Sequence, residues 1–374
     1  MSETAGPLSG VKVLDLTRVL SGPYAAMTLA DMGADVVKIE RPGRGDDTRG
    51  FGPPFAEGVA TYFLAVNRGK RSVSLDLKDP EDRAICRALA MEADVLLENF
   101  RPGVLDRLGL GWDALKTDNP RLVYCAISGF GRDRPGPGYD LMIQGMSGIP
   151  HLTGDGAVPF KCGTSIADLV TGMNAVQGVL AALYRREHTG RGGLVDVSMI
   201  DGQRALLTYH ASAWLNAGVE PGPRGNAHPS IHPYQAYRAA DGWLNLAVAN
   251  DKLFEALCGL LEVDWHREAR FATNADRVSS RAALDALLVP RIAERTVGEW
   301  RASLAAAGIP HGPMSTVPEA LEGAAVVTHD HPDGGAPVRS LAGGVRIDGA
   351  AGVSSRRTPR LGEHNEEVLS EWLD

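Results

Sequence analysis

Over the first 130 residues, short apolar runs rich in Val, Ile and Leu alternate with stretches of helical spacing. VKVLDLT (11–17) is one such run, followed by the Ser-Gly-Pro turn at Ser21 to Pro23 and a helix through Ala25 to Met32. DVVKIE (35–40), SVSLDL (72–77), DVLLEN (94–99) and LVYCAISG (122–129) continue the strand series. Asp79 followed by Pro80 marks a helix start, because an aspartate caps well and proline fits the first helical position. Strands alternating with helices of this length need crossovers, which predicts a parallel, doubly wound α/β sheet with helices on both faces.

Farther on, Leu169, Met173, Val176, Leu180 and Leu183 recur at helical spacing between Asp168 and Glu187. Thr164 and Ser165 are possible N-caps, which places Asp168 in or near the first turn. TGRGG (189–193) reads as a turn and LVDVSM (194–199) as a further strand. Pro and Gly then accumulate, and residues beyond 225 read as a smaller mixed α/β domain. The expected plan is a large Rossmann-like domain over 1–205 plus 340–374, a small domain over 225–330, and linkers at 205–225 and 330–340. A final helix is expected over Glu366 to Leu373.

A length of 374 residues suits one large domain plus a smaller one, and 44% hydrophobic residues allow a sizeable core. The net charge of -8 argues against a nucleic-acid partner, which selects a basic surface. The four cysteines, Cys86, Cys125, Cys162 and Cys258, form no CxxC pair, so neither a zinc site nor a disulfide framework is suggested. The opening MSETAGPLSG lacks the basic and apolar regions of a signal peptide, and no uninterrupted apolar run approaches the roughly 18 residues of a membrane span. The chain reads as cytoplasmic, with neither membrane nor nucleic acid as partner. After the first strand the chain reads TRVLSGPY, where a dinucleotide enzyme carries G-x-G-x-x-G, and that counts against NAD.

Several ordered segments resemble one family. LSGVKVLDLTRVLSGPYA, LADMGADVVKIERPGRGDDTR, NRGKRSVSLDLKDP, ENFRPGVLDRLGLGWDAL, ISGFGRDRPGPGYD, TSIADLVTG, TGRGGLVDVSMID, AGIPHGPM and PRLGEHNEEVL are similar to successive segments of the class III CoA-transferases. That superfamily includes formyl-CoA transferase and α-methylacyl-CoA racemase. Within it, GNAHPSIHPYQAYRAADGWLNLAVAN (225–250) resembles most the succinate–hydroxymethylglutarate (glutarate) CoA-transferases.

The resemblance aligns the family's nucleophilic aspartate with Asp168. On physical grounds alone, an aspartate in a first helical turn is usually a capping or dipole-favoured group, with the macrodipole favouring its ionised form. The implied chemistry is attack by that carboxylate on a thioester carbonyl, then passage through an aspartyl-CoA thioester. By the same resemblance, coenzyme A contacts fall on Val19, Leu20, Ser21, Arg41, Leu75, Lys78, Asn99, Phe100, Arg107, Tyr139 and Met199. Arginine and lysine suit phosphate oxygens, and Phe100 and the leucines suit the adenine face and the pantetheine arm. Taken singly, each cation is also an ordinary surface charge and Leu75 an ordinary core residue. Asp140 matches an acidic position of the site and is equally suited to capping a helix. His228 matches the substrate loop of the dicarboxylate enzymes. The resemblance further implies a homodimer of interlocked rings, an acyl-CoA and a free carboxylic acid as reactants, no metal, and no cofactor beyond coenzyme A as substrate.

Two rivals share the fold. A racemase of this superfamily has a histidine in a GHD motif opposite the aspartate, whereas this chain reads GYD, with Tyr139 in that place. A phenol with an ordinary pKa near about 10 is a poor base at neutral pH. A non-enzymatic CoA-binding module would have no reason to keep the aspartate in its full setting.

Overall fold

The computed structural model describes residues 6–374; residues 1–5, part of the stretch read as lacking a signal peptide, lie outside the described residues. The chain divides into two compact units. The larger takes residues through Ile149, Lys161–Ala217 and Ala325–Asp374, and the smaller takes Pro150–Phe160 and Gly218–Ala324.

The larger unit is built on six parallel strands: β1 (Lys12–Asp15), β2 (Asp35–Glu40), β3 (Lys70–Ser74), β4 (Val95–Glu98), β5 (Val123–Ser128) and β6 (Gly193–Ser198). Their order across the sheet is β3-β2-β1-β4-β5-β6, so the direction of winding reverses between β1 and β4. Successive residues of a strand point to opposite faces, and here both faces are covered. Leu14, Val37, Val73, Leu96 and Tyr124 share one apolar core with Leu89 and Trp372. Val13, Val36, Val95 and Val123 share the other with Ala25, Leu29, Val176 and Val179. This double burial explains why the strands read as continuous apolar runs.

Helix α1 (Ser21–Asp31) follows β1 directly, and α2 (Pro80–Glu92) begins with Asp79 Oδ1 accepting the Glu81 and Asp82 amides at 2.8 and 3.2 Å. Helices α3 (Asp140–Ser147), α4 (Ile166–Thr189) and α5 (Met199–Ala205) follow β5, precede β6 and follow β6. Helix α4 is long and apolar enough to span a bilayer, yet it packs as a core helix against α1, β5 and β6. The sheet edge at β3 is covered by the end of the chain. The Ser72 carbonyl accepts the His364 amide at 3.0 Å, and the Ser74 amide donates to Asn365 Oδ1 at 2.8 Å. Arg71 joins this contact through Glu367 and Glu371 at 3.1 and 2.6 Å.

The smaller unit holds a three-stranded antiparallel sheet of Tyr234–Arg238, Trp243–Ala247 and His311–Pro313, with Phe254, Leu257, Leu288 and Trp300 in its core. Its loop 228–233 is tied down: Arg277 Nε donates to the His232 carbonyl at 2.9 Å, Arg281 Nη2 to the His228 carbonyl at 2.8 Å, and Asn274 Nδ2 to the Ser230 carbonyl at 2.9 Å.

Parts of the stretches expected as linkers, or next to them, carry secondary structure, while 218–225 has no helix or strand. Thr208–Ala217 is a helix of the larger unit, and Val326–His329 pairs with Val338–Leu341 as a hairpin of the same unit. No residue of the 208–217 helix is buried, and Leu215 is 77% exposed. Without a buried stripe there is no helical periodicity to read, which is why this stretch passed for a linker.

Candidate active site

In an open parallel sheet, ligands bind beyond the carboxyl ends of the strands, where the winding reverses. The residues that the resemblance assigned to coenzyme A cluster in sequence at those ends. Val19, Leu20 and Ser21 follow β1, Arg41 follows β2, Leu75 and Lys78 follow β3, and Asn99 and Phe100 follow β4. Arg107 closes the short helix Val104–Arg107 after β4, Tyr139 ends the loop after β5, and Met199 follows β6. The β1 and β4 loops flank the reversal point and are joined there. Asn99 Oδ1 accepts the Arg18 amide at 2.9 Å, and Asn99 Nδ2 donates to the Arg18 carbonyl at 2.7 Å.

Asp168 is the third residue of α4, and the N-cap Ser165 makes no side-chain capping bond. The capping comes from outside: Asp140 Oδ1, in the first turn of α3, accepts the Ala167 amide at 3.0 Å. Gln144 Nε2 donates to both Asp140 oxygens at 3.0 and 2.9 Å, and Lys161 Nζ lies 4.0 Å from Oδ2. The capping role foreseen for Asp140 is thus exercised on the helix that carries Asp168.

The partner of Asp168 is Ser21, whose hydroxyl and backbone amide both stabilise the carboxylate. The sequence explains the meeting. Asp168 and Gly172 are four residues apart and lie on one face of α4. A Cβ on Gly172 would fall 2.6 Å from the Ser21 carbonyl oxygen and 2.9 Å from Tyr24 Cδ1. Glycine therefore lets α4 close on the start of α1, and one turn earlier Asp168 reaches Ser21.

The ionisation of Asp168 runs opposite to the macrodipole expectation. Burial first, and the Asp140 carboxylate second, push its pKa up from 3.8 to about 6, against the lowering effect of Ser21. At neutral pH it is still mostly a carboxylate, but a poorly solvated and reactive one. Tyr62 shares this environment. Burial and the carboxylates of Asp168, Asp140 and Asp46 push its phenol up to about 12, so it stays a neutral donor.

The remaining expected residues separate into two groups. Arg41, Lys78 and Arg107 are exposed, and the Arg18 guanidinium lies 5.3 Å from the centre of the half-buried Phe100 ring. Tyr139 is 65% exposed, so its ring is open to a ligand. Leu75 and Met199, by contrast, are only 5% and 3% exposed and pack in apolar cores. His228 lies in the smaller unit, where its amide donates to the Tyr234 carbonyl at 2.9 Å and its Nδ1 accepts the Ser230 amide at 3.1 Å. Sequence reasoning missed Tyr62 and Gly172, since neither carries a local signal and both matter through packing. Among the described residues no cluster of His, Cys, Asp and Glu is arranged to hold a metal.

The arrangement offers a desolvated carboxylate with two converging donors, beside strand-end loops with exposed cations. It is suited to nucleophilic acyl chemistry on a phosphorylated carrier. Comparisons with known proteins show the family. Residues 8–365 match the profile of CoA-transferase family III. Succinyl-CoA:glutarate CoA-transferase of Mus musculus is 38% identical over 98% of this chain and 86% of that protein. Acetyl-CoA:oxalate CoA-transferase of Acetobacter aceti is 43% identical over 84% of this chain and 82% of that protein. The crystal structure of a CAIB/BAIF family protein from Brucella suis superposes with a TM-score of 0.85 at 42% identity, covering 98% of this chain and all of that one.

Proposed function

The chain belongs to CoA-transferase family III, and we propose that it moves coenzyme A from succinyl-CoA to glutarate or a related C4–C6 dicarboxylate through covalent intermediates on Asp168. The observation that carries the mechanism is the Asp168–Ser21 pairing at the crossing of α4 and α1.

The reaction needs no proton transfer. An Asp168 oxygen attacks the thioester carbonyl, the C–S bond breaks, and a mixed anhydride and the CoA thiolate result. The thiolate attacks the aspartyl carbonyl and expels the first acid as carboxylate, leaving aspartyl-CoA. The incoming carboxylate attacks that thioester and releases the thiolate again. The thiolate then takes the new acyl group and returns Asp168 as carboxylate. Each attack develops an oxyanion, which the Ser21 amide and hydroxyl and the neutral Tyr62 phenol are suited to stabilise. The half-buried setting of Asp168 is suited to limiting hydrolysis of the anhydride and the thioester.

The proposed assembly is a homodimer of interlocked rings. The 208–217 helix, with no residue buried and with Tyr209, Trp214 and Leu215 outward, supports a partner surface. So does an opening of about 2440 Å³ in the larger unit, walled by Tyr24, Met173, Leu180, Leu341 and Val345. Four free cysteines fit a reducing, cytoplasmic setting.

The test incubates the enzyme with succinyl-CoA and a panel of free acids and reads new CoA esters by mass spectrometry. Glutarate and its C4–C6 neighbours are expected to exceed oxalate, formate and propionate. Hydroxylamine in the presence of acyl-CoA should modify Asp168 alone, and Asp168→Ala should transfer nothing. Equal turnover of monocarboxylates would refute the acid assignment, and transfer by Asp168→Ala would refute the mechanism.

A further inference from the structure

Beneath the β1 loop lie four charged side chains with no exposed surface. Lys38 Nζ sits 2.9 Å from Asp46 Oδ2 and 3.9 Å from Asp15 Oδ2, and Lys70 Nζ sits 3.0 Å from Asp15 Oδ2. Two ammonium groups thus balance two carboxylates in a space closed to water. Burying such a set gains little stability over well-packed apolar residues, because desolvation offsets the attraction. A role beyond stability is indicated, and the remaining contacts of the four groups supply it.

Those contacts converge on one stretch of backbone. Lys38 Nζ donates to the Thr17 carbonyl at 2.7 Å, and Asp15 Oδ1 accepts the Thr17 amide at 2.9 Å. Asp46 Oδ1 accepts the Val19 amide at 3.3 Å, and Lys70 Nζ donates to the Pro23 carbonyl at 3.0 Å. Val19 has a φ of 71°, a left-handed conformation that a β-branched residue holds only when its surroundings enforce it. Two residues later stands Ser21, the partner of Asp168.

We propose that the Asp15–Lys38–Asp46–Lys70 cluster is a positioning device that sets the Thr17–Pro23 backbone so that Ser21 meets Asp168, with Asp46 as its key positioning residue. This rests on the reading of Asp168 as nucleophile. It adds a group of residues that touches no reactant yet controls the reacting carboxylate through the loop. Asp46 was not among the residues that the sequence suggested, and it lies 122 positions before the aspartate it serves.

The test uses the full-length enzyme and reads the acid limb of the kcat/KM profile, which reports ionisation of Asp168. The groups that act on that carboxylate are Ser21 and Asp140, with the Tyr62 phenol in the same field. Ser21→Ala removes a donor and should move the limb to higher pH by about half a unit. Asp46→Asn should move it the same way and lower kcat/KM at pH 7 about tenfold, because a displaced loop misplaces Ser21. The sign discriminates, since losing the Asp46 charge acting through space would move the limb to lower pH. Asp46→Glu keeps the charge but lengthens the arm, and it too should move the limb upward. The Asp46→Asn/Ser21→Ala double variant should show little beyond the larger single effect. Folded Asp46 variants with the wild-type limb, or effects that add in full to Ser21→Ala, would overturn the proposal. Failure of both Asp46 variants to fold would also overturn it, by assigning the cluster to stability. Transfer by Asp168→Ala would instead overturn the nucleophile reading, so the two failures are distinct.

Discussion

The Asp140 carboxylate holds the Ala167 amide at 3.0 Å, one residue before Asp168, so one acid caps the helix on which the other stands. The same proximity makes Asp140 the second cause, after burial, of the raised Asp168 pKa. Asp140→Asn removes the charge and keeps an acceptor oxygen. Asp168 should then ionise more readily, moving the acid limb of kcat/KM to lower pH by about half a unit to one unit. Weaker capping should lower stability by about 0.5–1 kcal/mol. A pH profile between 4.5 and 8 checks the sign, and an unmoved limb would leave burial as the sole cause.

Asp168 itself carries a stability signature. Its folded pKa of about 6 lies above its ordinary 3.8, so the folded state binds the extra proton between those values. Its contribution therefore turns unfavourable as pH rises from about 4 through 6, and it stays so above. Asp168→Asn should be more stable than wild type at pH 8 by about 1–2 kcal/mol, allowing for partial exposure, and equal to it near pH 4. Denaturant midpoints at the two pH values test this, and equal midpoints at pH 8 would contradict it. Transfer should be lost at every pH.

Gly172 sets the separation of α1 and α4. Alanine usually strengthens a helix by about 1 kcal/mol over glycine. At this position its Cβ would meet the Ser21 carbonyl oxygen at 2.6 Å, a backbone atom that cannot swing aside. Gly172→Ala should therefore destabilise the protein by about 1–3 kcal/mol, opposite in sign to propensity. By drawing Ser21 from Asp168 it should cut transfer by about a hundredfold. Thermal unfolding combined with a transfer assay decides the matter; a variant as stable and active as wild type would show that the two helices part freely.

What could be read from the sequence follows burial. The strands of the parallel sheet are covered on both faces, so they appear as apolar runs, and the Asp79–Pro80 helix start is written in two adjacent residues. SVSLDL was read as a strand over 72–77, whereas the pairing runs over Lys70–Ser74, because Lys70 and Arg71 are buried charges that no hydropathy pattern assigns to a sheet. The 208–217 helix left no trace because none of its side chains is buried. Asp168 was suggested as the nucleophile by resemblance to a family, and its place at a helix start was legible from periodicity. Its raised pKa, its Ser21 partner and the glycine that brings them together depend on two helices some 140 residues apart in sequence, and only packing reveals them.

The cover on strand β3 makes protection of this sheet edge a late acquisition of the growing chain. Strand β3 is complete by Ser74, but the groups that occupy its open side, at His364 and Asn365, come almost 300 residues afterwards. Until they emerge, the strand presents unpaired amides and carbonyls to any other extended segment, the template on which chains aggregate. Loss of the final helical stretch should accordingly appear first as insoluble protein during expression and only secondarily as lost activity.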